Sequence, residues 1–267
     1  MKDVEQCLFV TYEENGIYQI QCSGLVPGPG HVYCTLVVGE QTAMLIDNGF
    51  GDDTFEPFLR LLTDKPVMAV ATHVHPDHTS GSGSFAKIWI GAEEEEMLEE
   101  LYGKEAYDPG TKILFGKTRV RFLSDGEKFD LGGRTVTAIH TPGHTWGSFC
   151  FYDSMSRIMM TGDTLNQRVF LQCAKPVVPL KQYLQSLCKV MAYEFEKYLG
   201  GHHPLPFTRS HVDHMIRMID SFSPEKAKPY IREGMEGVYM YVEGRGYGDP
   251  DYCGFMFNWD ELEEFLA

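Results

Sequence analysis

The chain has no window of about 18 uninterrupted apolar residues, the length that a membrane-spanning helix requires. Its amino terminus, MKDVEQCLFV, carries acids and no extended apolar segment. Neither a membrane span nor a secretory leader is expected. Cysteine pairing is also poorly provided for. The seven cysteines, Cys7, Cys22, Cys34, Cys150, Cys173, Cys188 and Cys253, are odd in number, scattered, and without a Cys-x-x-Cys pair. That usage fits a reduced compartment, so a cytoplasmic protein is expected. Basic residues are few, with 23 Lys and Arg against 38 Asp and Glu and a formal charge of −15. A field of that sign repels phosphate backbones, and no Lys/Arg cluster offsets it, so nucleic acid is not an expected partner. The densest charge run, Glu93 to Glu96 with Glu99 and Glu100, is acidic and reads as the solvated face of a helix. A length of 267 residues and 43% hydrophobic composition suffice for one globular catalytic domain with a sizeable core.

Against these absences stands one dense feature. The run THVHPDHTSG, from Thr72 to Gly81, packs His73, His75, Asp77 and His78 into six residues directly after the apolar stretch Val67 to Ala71. Side chains alternate across a strand, so four donors this close cannot share one face unless the chain turns. Pro76 halts regular strand, and Gly81 and Gly83 permit a tight exit, which predicts a loop at the carboxyl end of a buried strand. Imidazole and carboxylate are the usual donors for Zn, Fe and Mn. His73 and His75 can serve one ion while Asp77 and His78 serve a second.

The surrounding pattern is α/β. Ile17 to Cys22, Val32 to Val38 and Ala43 to Ile46 read as strands, the last ending in the turn Asp47-Asn48-Gly49. Thr54 to Leu62 has helical spacing, Val67 to Ala71 is a short apolar strand, Lys87 to Ile90 reads as the next strand, and Ala92 to Tyr102 reads as a helix. A parallel portion of sheet covered by helices follows. Further on, Arg119 to Leu123, Arg134 to His140, Ser148 to Tyr152 and Arg157 to Met160 read as strands. After Asp163 the pattern predicts helices at Leu180 to Tyr198 and Thr208 to Phe222. Residues 1–222 read as the catalytic domain. Residues 223–267 read as an extension packed on it, a lid, an edge hairpin or a dimer contact, with strands at Gly237 to Glu243 and Tyr252 to Phe257.

Three more donors follow breaks after apolar runs: His144 in Thr141-Pro142-Gly143-His144, Asp163 in Gly162-Asp163-Thr164, and His202 after Gly200-Gly201. Ligands at the ends of several strands can converge on one rim of a sheet, where open α/β architectures bind ligands. With the His-x-His-x-Asp-His run at 73 to 78, this ordered set resembles the metallo-β-lactamase superfamily over roughly residues 17 to 210. Asp47, in Leu45-Ile46-Asp47-Asn48-Gly49, matches that family's leading aspartate motif. The resemblance implies a four-layer αβ/βα sandwich with a two-metal centre on one edge. It assigns His73, His75 and His144 to the first metal, Asp77, His78 and His202 to the second, and Asp163 as a bridge. His202 and His203 are adjacent, and His202 is favoured because it directly follows Gly201. Asp47 would orient a ligand or the loop, or serve as a plain turn residue.

The expected activity is hydrolysis of a small ester, thioester or lactone through a metal-bridging hydroxide, with Asp77 orienting the water. Two Zn²⁺ are expected, with Fe or Mn as alternatives. A bridging aspartate is similar to the glyoxalase II and lactonase-like branch. A phosphodiesterase and an iron-dependent persulfide-type dioxygenase are the competing expectations. The partner is a small-molecule substrate, and a homodimer is compatible with the sequence. Arg168, five residues after Asp163, and His31 with Tyr33, after a Gly/Pro-rich stretch, are the candidate substrate contacts. For Arg168 a surface charge and for Tyr33 a core aromatic are the competing readings.

Overall fold

The computed structural model describes residues 8–23, 30–50, 54–171 and 175–267. Asn15-Gly16, both with left-handed backbone, closes a tight hairpin between β1 (Phe9–Glu14) and β2 (Ile17–Gln21). Antiparallel pairing continues through β3 (Tyr33–Val38) to β4 (Ala43–Ile46). Helix α1 (Phe55–Leu62) then crosses over to β5 (Val67–Val70), which pairs parallel with β4. A single helical turn, α2 (Pro76–Thr79), leads on toward β6 (Lys87–Ile90), parallel to β5. After α3 (Glu95–Ala106), the short strands β7 (Tyr107–Asp108) and β8 (Ile113–Leu114) and then β9 (Thr118–Phe122) complete a nine-stranded sheet of order β1-β2-β3-β4-β5-β6-β9-β8-β7.

A second sheet begins with β10 (Lys128–Asp130), β11 (Thr135–His140), β12 (Phe149–Asp153) and β13 (Ile158–Gly162), all antiparallel neighbours. The chain leaves it for β14 (Arg168–Phe170) and α4 (Leu180–Met191), then returns as β15 (Lys197–Gly200), parallel to β13, and β16 (Phe207–Thr208). Helix α5 (Arg209–Asp220) follows, then β17 (Lys228–Pro229), β18 (Val238–Glu243), β19 (Cys253–Asn258) and α6 (Leu262–Leu266). The last three strands join β14 in a third sheet of order β14-β19-β18-β17.

Alternation along the strands builds the layers. Val136, Ala138, Phe149, Phe151, Ile158 and Met160 face Ile17, Val37, Met44, Ile46 and Val70 of the first sheet. Their neighbours Ile139, Cys150 and Met159 face the other way, onto Tyr183, Leu187 and Val190 of α4 and Val212 and Met215 of α5. On the far side of the first sheet, Ile20, Leu36 and Leu45 pack on Phe55 and Leu59 of α1. Ile88, Ile90 and Val120 pack on Leu98 of α3. The result is helix, sheet, sheet, helix. Among the described residues no helix is long and apolar enough to cross a membrane.

Strand direction then fixes where chemistry can occur. β4 and β5 run parallel in one sheet. In the other, β11, β13 and β15 share one direction, because β11 and β13 are each antiparallel to β12 and β15 is parallel to β13. All five carboxyl ends meet at one rim, where the Phe149 N–H donates to the Thr72 carbonyl across the sheets at 2.8 Å. Asp47, His73, His144, Asp163 and His202 each lie one to four residues beyond those ends.

Several elements differ from expectation. The segment read as one helix from Leu180 to Tyr198 ends at Met191, and Lys197–Gly200 is a central strand. A short buried strand and a buried helical turn have the same apolar signature, so periodicity cannot separate them. The metal-donor loop is not irregular: Pro76, whose missing N–H costs nothing at a helix start, opens α2, and a 3₁₀ segment, Ser80–Ser84, follows. The acidic run is not wholly solvated, since Glu94 is 1% exposed.

Candidate metal centre

The His73 and His75 side chains converge with that of His144. His73 Nε2 and His144 Nε2 each lie 3.0 Å from His75 Nδ1. Burial holds the His73 and His144 rings well below and below the usual imidazole pKa, respectively, and pushes His75 down to about 3. Neighbouring imidazoles add to each of these shifts. Three neutral rings pointing lone pairs at one space are arranged for a shared cation. The spacing is close to the roughly 3.3 Å between donors of a tetrahedral ion with bonds of about 2.0–2.1 Å.

A second set adjoins the first. His202 Nε2 is 3.1 Å from Asp163 Oδ2 and 3.7 Å from Asp77 Oδ2. His78 Nε2 is 3.7 Å from Asp77 Oδ2 and 3.6 Å from Asp163 Oδ1. Asp163 also reaches back to the first set, 3.7 Å from His144 Nε2. Its carboxylate therefore stands between the two. Burial would raise the Asp163 pKa, but His202 and His78 overrule it and hold the carboxyl well below its ordinary range.

One atom tests whether metal fits. His78 Nε2 is buried and has no hydrogen-bond partner among the described residues, a costly state for a ring nitrogen. It points at the space bounded by Asp77, Asp163 and His202. Burial disfavours a charged His78 ring, yet the carboxylates of Asp47, Asp163 and Asp77 raise its pKa to about 10. That field calls for positive charge at Nε2, and a metal cation there would satisfy it. The residues fit the group.

The outer nitrogens are held so that the inner ones face the centre. His144 Nδ1–H donates to the Phe170 carbonyl at 2.6 Å, and His202 Nδ1–H to the His31 carbonyl at 3.1 Å. His78 Nδ1 is paired with Asp47 Oδ2 at 2.8 Å, and Thr72 Oγ1 lies 3.1 Å from His73 Nδ1. Each such bond leaves Nε2 with its lone pair inward and fixes the ring plane. Asp47 has a turn geometry, with φ of 61°, and also does this orienting work: its carboxylate accepts from the Thr72 N–H at 2.7 Å while holding His78.

Two residues not singled out in the sequence belong to this support. Asn166 donates to Asp163 Oδ1 at 3.0 Å and accepts from the His202 N–H at 3.1 Å. Glu94 accepts from the Val74 N–H and the Gly147 N–H, both at 2.9 Å, tying the His73–His75 segment to the His144 turn. Nothing in the spacing of Asn166 reveals it. Glu94 is hidden in a run of acids that otherwise face solvent.

Of the remaining candidates, His202 rather than His203 reaches the cluster. The His203 ring turns to Leu205 and packs on Phe207. Tyr33 is not at the mouth of the site: it is 2% exposed and its hydroxyl donates to Gln21 inside the core, because its position on β3 faces inward. His31 meets the site through its backbone carbonyl. The half-buried Arg168 lies on β14 beside the rings of Tyr230 and Tyr247. A separate cavity of about 410 Å³ near Pro142 and Trp146 is lined by none of the seven donors.

The description of the metallo-beta-lactamase superfamily matches residues 27–205, and the chain belongs to that superfamily. It is similar to the Gallus gallus protein named acyl-coenzyme A thioesterase MBLAC2, at 30% identity over 196 residues, 62% of this chain and 70% of that one. The matched stretch is 57% of the bovine and human proteins of that name. The Bacillus velezensis protein named "Probable polyketide biosynthesis zinc-dependent hydrolase BaeB" is 28% identical over 138 residues, 50% of this chain and 55% of that one. Among solved structures, a metallo-beta-lactamase from Pontibacter korlensis superposes with a TM-score of 0.62 at 18% identity, covering 81% of this chain and all of that one, a likeness of fold. Family and donor cluster together make the chain a metal-dependent hydrolase with a zinc-type site.

Proposed function

We propose that the chain is a dinuclear zinc thioesterase acting on acyl thioesters of a pantetheine-type thiol, within the broader ester, thioester and lactone class. The observation that carries the two-ion reading is the double reach of Asp163, whose oxygens lie 3.6 Å from His78 Nε2 and 3.1 Å from His202 Nε2 on one side and 3.7 Å from His144 Nε2 on the other. Among the described residues the donors are nitrogen and oxygen without thiolate, a set that admits zinc, with iron and manganese as alternatives. The thioesterase name borne by the MBLAC2 relatives supports the thioester over the lactone or phosphodiester.

Zinc held by these residues would supply Lewis acidity toward a carbonyl oxygen and a water acidified to a pKa near 7. The protein's own part is orientation and proton handling. Asp77, with its side chain 32% exposed, is open to solvent, unlike the buried His73 and His78. Its carboxylate orients the attacking water and takes its proton, which is then delivered to the departing thiolate. His73, 1% exposed, and His78, fully buried, cannot reach substrate and serve as anchors.

Zinc-loaded protein is expected to release free thiol from acyl-CoA in a thiol-reactive dye assay, and Asp77→Asn, assayed at a zinc concentration that keeps both sites filled because Asp77 is itself a donor to the second, to lose about 10²–10⁴-fold in kcat. Hydrolysis of bis(p-nitrophenyl) phosphate in preference to acyl-CoA would favour the phosphodiesterase reading. One iron per chain with oxygen consumption would favour the dioxygenase.

A further inference from the structure

Beside the metal centre, the third sheet builds a feature that the hydrolytic chemistry does not use. The Arg168 guanidinium carbon sits 4.9 Å from the Tyr230 ring centre and 5.1 Å from that of Tyr247. In a chain of net charge −15, this half-buried cation forms no ion pair among the described residues. A guanidinium resting against aromatic rings keeps its N–H edge free for an oxyanion, and stacking fixes its plane.

The setting of the two tyrosines is built. Gln167, 1% exposed, accepts from the Gly248 N–H at 2.8 Å and donates to the Asp249 carbonyl, clasping the turn that carries Tyr247. The Tyr247 hydroxyl then donates to the His202 carbonyl at 3.4 Å, and the Gly30 N–H donates to the same carbonyl at 2.8 Å. Tyr230 follows β17 and is fixed by its N–H to the Val238 carbonyl at 2.8 Å. On the metal side, Phe170, two residues after Arg168 on β14, holds the His144 ring. At about 3.3 Å of rise per residue, Arg168 is displaced along the strand by about 7 Å from that contact. This separation suits a group some bonds away from the carbonyl being attacked.

We infer that Arg168, with Tyr230 and Tyr247, forms an oxyanion-receiving subsite that selects thioester substrates carrying a second, non-reacting anionic group. This rests on the thioesterase reading. The shared chemistry is a planar or tetrahedral oxyanion, and its two sources are a terminal carboxylate of the acyl chain and a phosphate of the thiol carrier. Arg168 does not touch the reacting atoms. Its contribution is to ground-state and transition-state binding alike, so it acts on KM rather than kcat.

The test compares wild type, Arg168→Gln and Arg168→Lys on glutaryl-CoA, hexanoyl-CoA and the uncharged hexanoyl N-acetylcysteamine thioester. Arg168→Gln is expected to raise KM 10-fold to 100-fold on at least one CoA substrate, with kcat within about twofold and no change on the uncharged thioester. Loss confined to glutaryl-CoA assigns the carboxylate, and equal loss on both CoA substrates assigns the phosphate. Arg168→Lys should not restore KM, since ammonium lacks the planar fork. Calorimetric binding of glutarate and of coenzyme A to the same proteins reads the subsite without turnover. If wild type cleaves no thioester yet binds one of these anions through Arg168, the activity reading fails and the subsite stands. Equal effects of Arg168→Gln on charged and uncharged thioesters, or unchanged anion binding, would overturn the subsite.

Discussion

At the scale of single residues, the centre is limited by what lacks a side chain as much as by what carries one. A Cβ on Gly201 would lie 2.6 Å from Asp163 Oδ1 and 2.8 Å from His78 Cε1, inside any tolerable contact. Neither neighbour can give way freely, because Asp163 is held by Asn166 and the His78 ring by Asp47. Gly201→Ala is therefore expected to leave the fold intact while lowering metal affinity about 10–100-fold, the range for disturbing a ligand's support. Elemental analysis after dialysis against a weak chelator, with circular dichroism as the control for folding, reads both. Full metal content in Gly201→Ala would show that Asp163 can relocate and is not the shared donor.

Elements carry the parts that were hardest to read in advance. The candidate donors His73, His75, Asp77, His78, His144, Asp163 and His202, which the structure brings together, were legible because metal binding would demand particular residue types at short spacings, just beyond apolar runs. The strand β15 and the short β14 were not, since their hydrophobic runs follow burial and not periodicity. The hairpin strand β1 had a readable signal, Asn15-Gly16, but an exposed edge strand lacks the apolar weight that marks the inner ones. The union of β14 with the carboxyl-terminal strands depends on tertiary pairing alone. One buried histidine stitches those elements together: His211 of α5 accepts from the Tyr198 hydroxyl of β15 at 2.7 Å and donates to the Tyr252 carbonyl at 3.3 Å. Burial pushes its pKa down to about 4, against about 6.5 in an unfolded chain. The unfolded state thus binds the proton first. The stability due to a neutral His211 is complete above pH 6.5 and is lost as pH falls toward 4, on the order of 3 kcal/mol. Urea titrations of chelator-treated wild type and His211→Gln should differ in slope across that window and run parallel above it. Parallel behaviour throughout would mean that His211 takes up its proton as readily in the fold as in the unfolded chain.

For the whole molecule, the decisive variable is the metal itself. The chain gathers five imidazoles, His73, His75, His78, His144 and His202, and the carboxylates of Asp77 and Asp163 at one rim, on a protein whose formal charge is already −15. Without cations, His78 Nε2 has no hydrogen-bond partner among the described residues, and the carboxylates beside it rely on protonation of the His78 ring for neutrality. Both conditions are relieved by metal, which binds the folded rim and not the dispersed residues of the unfolded chain. Each ion present at 100 times its dissociation constant adds about 2.7 kcal/mol, so two would raise Tm on the order of 10 °C for a chain of this size. The effect should be local in origin and global in outcome. The segments that meet at the rim, around Val74, Asn48 and Gly201, would lose amide protection first on chelation, while β18 and β19, held by the Phe255, Phe257 and Phe265 cluster, would not. Calorimetry with and without chelator, followed by zinc titration back, gives the shift, and hydrogen exchange gives its place. A Tm indifferent to zinc would mean that the donors are satisfied by one another, and the two-ion centre would fall with it.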